Sequence, residues 1–313
     1  MKSQLDQSCC CKPKGGSEPS AFSSFFSLSL FLFSMVSITF LSSCTNKMAF
    51  SYLDTAVAWR LDDYFDLTRD QEKELKKEFI GSTKEIIEKN QKLAREVIAP
   101  LKSSEAMPPA LVADNADRSQ VDCADFEVRL QKVKQIFENS IEVYKAKAVV
   151  LTETLKKPQI DYFINATERK ILEDEKKSKN AQAFVDKQVD KSIQNVEKFL
   201  GSITKEQKEK ITTFVKENPR PIIQQIEQQR NNLNKLKELQ SDFDKAKNHI
   251  KNYISDWKAQ QAPDYVQLQN KRLEKQEKFY ADLLCRASPE QKKHLLKEVT
   301  TVFNDFVDVF SKK

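Results

Sequence analysis

The stretch FEVRLQKVKQIFENSIEVYKAKAVVLTETL, residues 126–155, decides the fold. Within it Phe126, Leu130, Val133, Phe137, Ile141, Tyr144, Ala148, Leu151 and Leu155 recur at steps of three and four, with charged and amide side chains between them. That spacing puts the apolar groups on one stripe of an α-helix, which would run about 45 Å at a rise of roughly 1.5 Å per residue. The same steps link Leu75, Phe79, Ile86, Leu93 and Val97 upstream. They recur through Val185, Val189, Ile193, Val196 and Leu200, and again through Leu295, Val299, Val302, Phe306 and Val309. No segment alternates strictly. Each helix has one apolar and one charged face, so it must bury its stripe against neighbours. The expected fold is all-α, a multi-helix bundle of roughly seven to nine long amphipathic helices.

Composition agrees. A chain of 313 residues that is 39% hydrophobic can build a sizeable core in one or two domains. The only glycines are Gly15, Gly16, Gly81 and Gly201, too few for a fold made of tight hairpins. The net charge of +6 is the small difference between 52 basic and 46 acidic residues, and the two signs are interleaved. No basic stripe suited to nucleic acid results.

Breaks between helices are marked by proline. Pro100, Pro108 and Pro109, with Asp114, Asn115 and Asp117, delimit an irregular connection of about 20 residues. Pro158, Pro219 with Pro221, Pro263 and Pro289 fall where one periodic segment stops and another starts. One local pattern recurs in Leu67-Thr68-Arg69-Asp70-Gln71, Ile203-Thr204-Lys205-Glu206-Gln207 and Ala287-Ser288-Pro289-Glu290-Gln291. A hydroxyl residue followed three positions later by Gln is a capping box, and the acid inside it meets the positive end of the helix dipole. Thr68 with Gln71, Thr204 with Gln207 and Ser288 with Gln291 are therefore expected helix caps. Leu155-Lys156-Lys157-Pro158-Gln159 is a degenerate fourth copy. The steps from Leu67 to Leu155, Ile203 and Ala287 are long, short and long, which suggests two related halves, about 50–180 and 181–313. Independent helix starts explain the same pattern.

The amino-terminal segment has a separate logic. Lys2, Lys12 and Lys14 precede an apolar run from about Ala21 to Leu41 that ends in Leu41-Ser42-Ser43-Cys44. Basic region, apolar region and small residues follow in the order of a secretory signal peptide. The last four residues resemble a lipobox, the motif after which a bacterial lipoprotein signal peptidase cleaves. The resemblance implies removal of residues 1–43, lipid attachment at Cys44 and a periplasmic helical body from 44 to 313. Thr45, in place of the Asp that the family rule associates with inner-membrane retention, implies the outer membrane. Each buried methylene of an acyl chain contributes about 0.8 kcal/mol, so a multiply acylated terminus holds firmly. The competing reading is an uncleaved helix, because the run approaches the roughly 20 residues that span a bilayer.

Cys9, Cys10 and Cys11 lie in the leader and receive no chemistry. With Cys44 acylated, Cys123 and Cys285 remain, an even pair in an oxidising compartment. A disulfide between them would close a loop of about 160 residues, for which chain entropy gives on the order of 4 to 5 kcal/mol. Two buried free thiols are the alternative.

Tyr52-Leu53 and Trp59-Arg60-Leu61-Asp62-Asp63-Tyr64-Phe65-Asp66-Leu67, running into Thr68 and Gln71, resemble the opening of a family of uncharacterised bacterial lipoproteins that share a domain of unknown function. Phe199-Leu200-Gly201-Ser202-Ile203-Thr204 with Gln207 is similar to that family's middle block. Ser288-Pro289-Glu290-Gln291 with His294-Leu295 is similar to its last. Where members carry a Trp-His-Arg block in the first long helix, this chain has Lys89-Asn90-Gln91-Lys92. Leu67 to Gln71 also resembles the Leu-Thr-x-x-Gln motif of small periplasmic chaperones, which are helical and bind unfolded chains without ATP.

Signatures of catalysis are sparse. There is no Gly-rich phosphate loop, no Gly-x-Ser-x-Gly elbow and no Cys-His motif, so neither nucleotide nor other cofactor is expected. His249 and His294 lack ligands at metal spacing, and no metal is expected. The one charged cluster is Trp59, Arg60, Asp62, Asp63 and Asp66. Helical register puts Trp59 with Asp63 and Asp62 with Asp66 on common faces, and paired carboxylates can act as acid and base or hold a cation. The same residues can instead cap a helix and pair inside the bundle. The expected function is a non-enzymatic binding or scaffold lipoprotein that touches the membrane through its lipid and contacts envelope proteins. A chaperone-like binder of unfolded envelope proteins and an enzyme on envelope glycans are the alternatives.

Overall fold

The computed structural model describes residues 42–99 and 115–313. The described residues form eleven helices and no strand: α1 Ser42–Ser51, α2 Leu53–Phe65, α3 Arg69–Ile98, α4 Asn115–Glu153, α5 Lys157–Ser178, α6 Ala181–Leu200, α7 Lys205–Glu217, α8 Ile222–Leu239, α9 Phe243–Ser255, α10 Pro263–Cys285 and α11 Pro289–Lys312. The fold is an all-α multi-helix bundle. The count exceeds the expected seven to nine because several breaks carry no proline. Asp66 ends α2 in the left-handed region at φ 49. Asn180 and Asp242 each start a helix by accepting an amide proton with the side chain. Residues 1–41 of the leader and the connection around Pro100, Pro108 and Pro109 lie outside the described residues, while Ser42 and Ser43 begin α1. Asn115 and Asp117, read from sequence as part of that connection, belong to the first turn of α4.

Helices α3 and α4 form the long antiparallel hairpin of the bundle. Thr83 Oγ1 meets the Tyr144 hydroxyl at 2.9 Å, Asn139 Nδ2 donates to Asn90 Oδ1 at 2.7 Å, and Arg129 reaches the carbonyls of Val97 and Ala99 at the end of α3. Burial pushes the Tyr144 hydroxyl up to about 12, with the bond to Thr83 opposing. The inner face of α4 departs from the expected stripe. Val133 is 44% exposed, whereas Asp125 and Arg129 are buried and ion-paired at 2.8 Å. The reason is the unfinished end of α3. Its last carbonyls need donors, and a guanidinium supplies several from one position.

Two apolar clusters hold the bundle. The larger joins α1, α2, α3, α5, α8, α9 and the distal half of α11, through residues such as Phe50, Phe65, Phe79, Phe163, Ile226 and Phe310. The rings of Phe65 and Phe163 stack with centroids 4.7 Å apart. The smaller joins α6, α7, the end of α10 and the start of α11, around Leu200, Ile211, Val215 and Leu283. Helix α11 thus runs from one cluster into the other; the larger cluster draws residues from both sides of position 180, and the smaller lies wholly after it.

Gly201 makes the exit from α6 work. Its φ of +79 is a region that strains any residue with a Cβ, and an added Cβ would lie 3.4 Å from the His294 ring. Cys123, near the start of α4, is bonded to Cys285, the last residue of α10, with Cα atoms 4.7 Å apart.

Candidate functional site

The capping boxes meet in pairs. At the first meeting point Gln71 Oε1 accepts from the Thr68 amide at 3.0 Å, and Gln159 Oε1 accepts from the Lys156 amide at 3.1 Å. The two side-chain amides then bond each other reciprocally, Gln71 Nε2 to Gln159 Oε1 at 3.1 Å and Gln159 Nε2 to Gln71 Oε1 at 2.8 Å. Each Nε2 also reaches a carbonyl in the turn before the opposite helix, Gln71 to Thr154 and Gln159 to Asp66. The second meeting point repeats the plan. Gln207 and Gln291 satisfy the Thr204 and Ser288 amides, both at 2.9 Å. Their amides pair at 3.2 and 3.0 Å, and Gln291 Nε2 donates to the Ser202 carbonyl at 2.7 Å. Thus the starts of α3 and α5 are clasped together, and so are those of α7 and α11. Buried amide groups are costly unless hydrogen-bonded, and here each closes the other's valence.

The aspartate cluster sits beside the first clasp. Asp62 Oδ1 accepts from the Leu67 amide at 2.8 Å, which satisfies a donor in the turn after α2. Asp66 supplies the left-handed end of α2 and the carbonyl taken by Gln159. Arg60 pairs with Asp63 at 3.8 Å and lies over the Tyr64 ring at 5.3 Å. The side chain of Asp63 is 67% exposed. The structure therefore uses the Asp62 carboxylate and the Asp66 backbone in the turn after α2, while the Asp66 residue, Trp59 and Asp63 are exposed. Asp62→Ala is expected to lower stability by about 1 kcal/mol, because it leaves the Leu67 amide without its partner. Asp63→Ala should change it by less than about 0.5 kcal/mol. Urea unfolding of the two variants checks both values, and equal effects would contradict the assignment.

The second clasp borders a cleft of about 500 Å³ lined by Gly201, Ser202, Thr204, Ser288, Glu290, Gln291 and His294. Its polar groups are engaged in capping. Ser288 Oγ accepts the Gln291 amide at 3.2 Å and donates to Glu290 at 2.8 Å, while His294 Nε2 lies 3.2 Å from the Lys198 carbonyl. His249 lines a small apolar cavity together with Phe65, Phe163 and Tyr253. Among the described residues no group of three or more His, Cys, Asp and Glu side chains is placed to hold a metal ion.

The sequence reading passed over a polar interior on α8. Gln225, Gln228, Gln229 and Asn232 are buried there. Arg220 Nε donates to Gln225 Oε1 at 3.0 Å, and Gln228 Oε1 accepts the Ala262 amide at 2.9 Å. Burial, then repulsion by Arg272, draws Arg220 down to about 10. The signal was present, since these amides fall at helical spacing beside Ile226, Leu233 and Leu236, on the face that a bundle buries.

Helix α1 carries Cys44 in its first turn and is docked on the body. Phe50 meets the Phe306 ring edge-on at 5.3 Å, Lys47 pairs with Asp308 at 2.8 Å, and Lys313 Nζ donates to the Ser51 carbonyl at 2.7 Å. Asn46 is already buried. Among the described residues no helix is long and apolar enough to cross a membrane. No protein-family model, curated protein or solved structure matches this chain.

Proposed function

We propose that the chain is a lipid-anchored, non-enzymatic binding or scaffold protein of the cell envelope, held at the outer membrane through Cys44 and facing the periplasm. The observation that carries this reading is the absence of slack between anchor and body. Only Thr45 separates Cys44 from buried Asn46, and α1 packs on α11 through Phe50 and Lys47. A body attached so closely is held at one height and orientation over the bilayer, which suits a scaffold. The assignment of the glutamines and the Asp62 carboxylate to helix caps supports the non-enzymatic part, because their bonding capacity is directed at backbone and at one another.

The test combines anchoring with partner capture. Cys44→Ser is expected to abolish processing and lipid attachment. Amine-reactive crosslinking in intact cells should give discrete adducts with envelope proteins for the parent chain and lose them for this variant. Absence of any adduct from the membrane-borne parent would refute the scaffold reading. A membrane-borne parent chain that still carries residues 1–43 would show that residues 21–41 act as an uncleaved span.

A further inference from the structure

The geometry points to a membrane-contact face on α1 and α2, in which Met48, Tyr52 and Trp59 lie in the headgroup region of the bilayer that holds Cys44. It rests on the membrane attachment proposed above and adds the surface by which the body meets the lipid.

Helices α1 and α2 are almost continuous. Tyr52 between them has φ −105 and ψ 6, and its carbonyl still accepts the Ala56 amide at 2.8 Å. Along this rod Met48, Tyr52, Ala56 and Trp59 follow at steps of four, four and three, which is one helical stripe. The opposite stripe is the buried one, with Phe50, Val57, Leu61 and Phe65 in the larger cluster. Met48 is 64% exposed, Tyr52 61% and Trp59 50%. The other exposed large apolar side chains are aliphatic, with Val128, Val133 and Val150 on α4, Leu268 and Leu273 on α10, and Leu172 and Ile223 on α5 and α8. Among the described residues, the thioether, phenol and indole that are exposed lie together on α1 and α2, along one line of about 16 Å.

The occupant follows from where the chain outside the described residues ends. The apolar run finishes at Leu41, one residue before α1 begins, and Cys44 precedes Met48 by four residues in the same helix. If Cys44 bears lipid the bilayer lies about one helical turn from Met48, and if the run remains as a span it lies about two turns away. Tyr and Trp, each with an apolar ring and a polar tip, are the side chains that favour the membrane–water boundary.

Charges beside the stripe are largely paired. Lys47 is bonded to Asp308, Arg60 to Asp63, and Lys313 to Asp54. Attraction to anionic lipid therefore contributes little, and the contact should persist when salt is raised.

Trp59 and Trp257 are the only tryptophans, which makes the contact readable. The full chain bearing Trp257→Phe is purified from the envelope in detergent. It is then reconstituted into phosphatidylethanolamine and phosphatidylglycerol vesicles whose acyl chains are brominated near the headgroup. Emission from Trp59 is expected to fall at least about twofold relative to unbrominated vesicles, at low and high salt alike. The reciprocal Trp59→Phe chain, reporting from Trp257, should not respond. If the vesicle-bound chain keeps unquenched Trp59 emission that aqueous iodide still reaches, the contact face is wrong while the anchor stands. If the chain does not float with the vesicles at all, anchor and face fail together.

Discussion

Replacing Cys123 and Cys285 together by serine is expected to lower the stability of the oxidised chain by about 5 kcal/mol. The bond closes a loop of 162 residues, so opening it returns a large share of conformational freedom to the unfolded chain. The native state should change little. Helices α4 and α10 also pack side by side, with Lys134 and Glu277 paired at 3.1 Å, and Lys292 of α11 lies 5.8 Å from the Phe126 ring. Those contacts persist in the variant, which should stay folded and helical at low temperature but unfold at markedly lower urea. Treating the parent chain with reductant should reproduce the shift. A loss below about 1 kcal/mol in both experiments would mean that the loop is already constrained in the unfolded chain.

The second large effect concerns the buried clasp. Gln207→Ala or Gln291→Ala removes an acceptor from a helix-start amide and leaves the opposite carboxamide without its mate. Each single change is expected to destabilise by about 2 to 3 kcal/mol, since a buried unsatisfied polar group costs roughly 1 to 3 kcal/mol. The two changes share one interaction. Their sum should therefore exceed the double variant by about 1 kcal/mol or more in a urea-unfolding cycle. Strict additivity would show that the glutamines act only on their own helices. The first clasp is more open to solvent, and Gln71→Ala with Gln159→Ala should follow the same pattern at smaller size.

Helix content and helix starts were legible because both are local properties. Apolar residues at steps of three and four identify a helical stripe, and a hydroxyl three residues before Gln marks a cap wherever it occurs. Pairing of the boxes was not legible, because Gln71 meets Gln159 across 88 residues and nothing local to either names the other. The inner face of α4 was misread where Arg129 answers the carbonyls of α3, since a buried guanidinium looks in sequence like any solvated one. The aspartate cluster shows the same limit. Carboxylates at positions 62 and 66 read alike whether they face a substrate or an amide, and only the 2.8 Å contact from Leu67 to Asp62 distinguishes the two. The break at Tyr52 carries neither glycine nor proline, so nothing local marks where α1 ends and α2 begins.

The packing of α1 on α11 also imposes an order on folding as the chain is made. Helix α1 emerges long before its partner, for Phe50 finds its ring partner in Phe306 and Lys47 its carboxylate in Asp308, 261 residues later. Until α11 has emerged, the apolar side of α1 lacks this cover. The larger cluster closes only with that last helix, since Phe310 stands against Phe79 at its centre. A contact between such distant segments forms slowly and leaves a long interval in which the incomplete body is open to proteases and misassembly. Truncation anywhere before α11 should therefore yield a chain that is synthesised but degraded instead of accumulating.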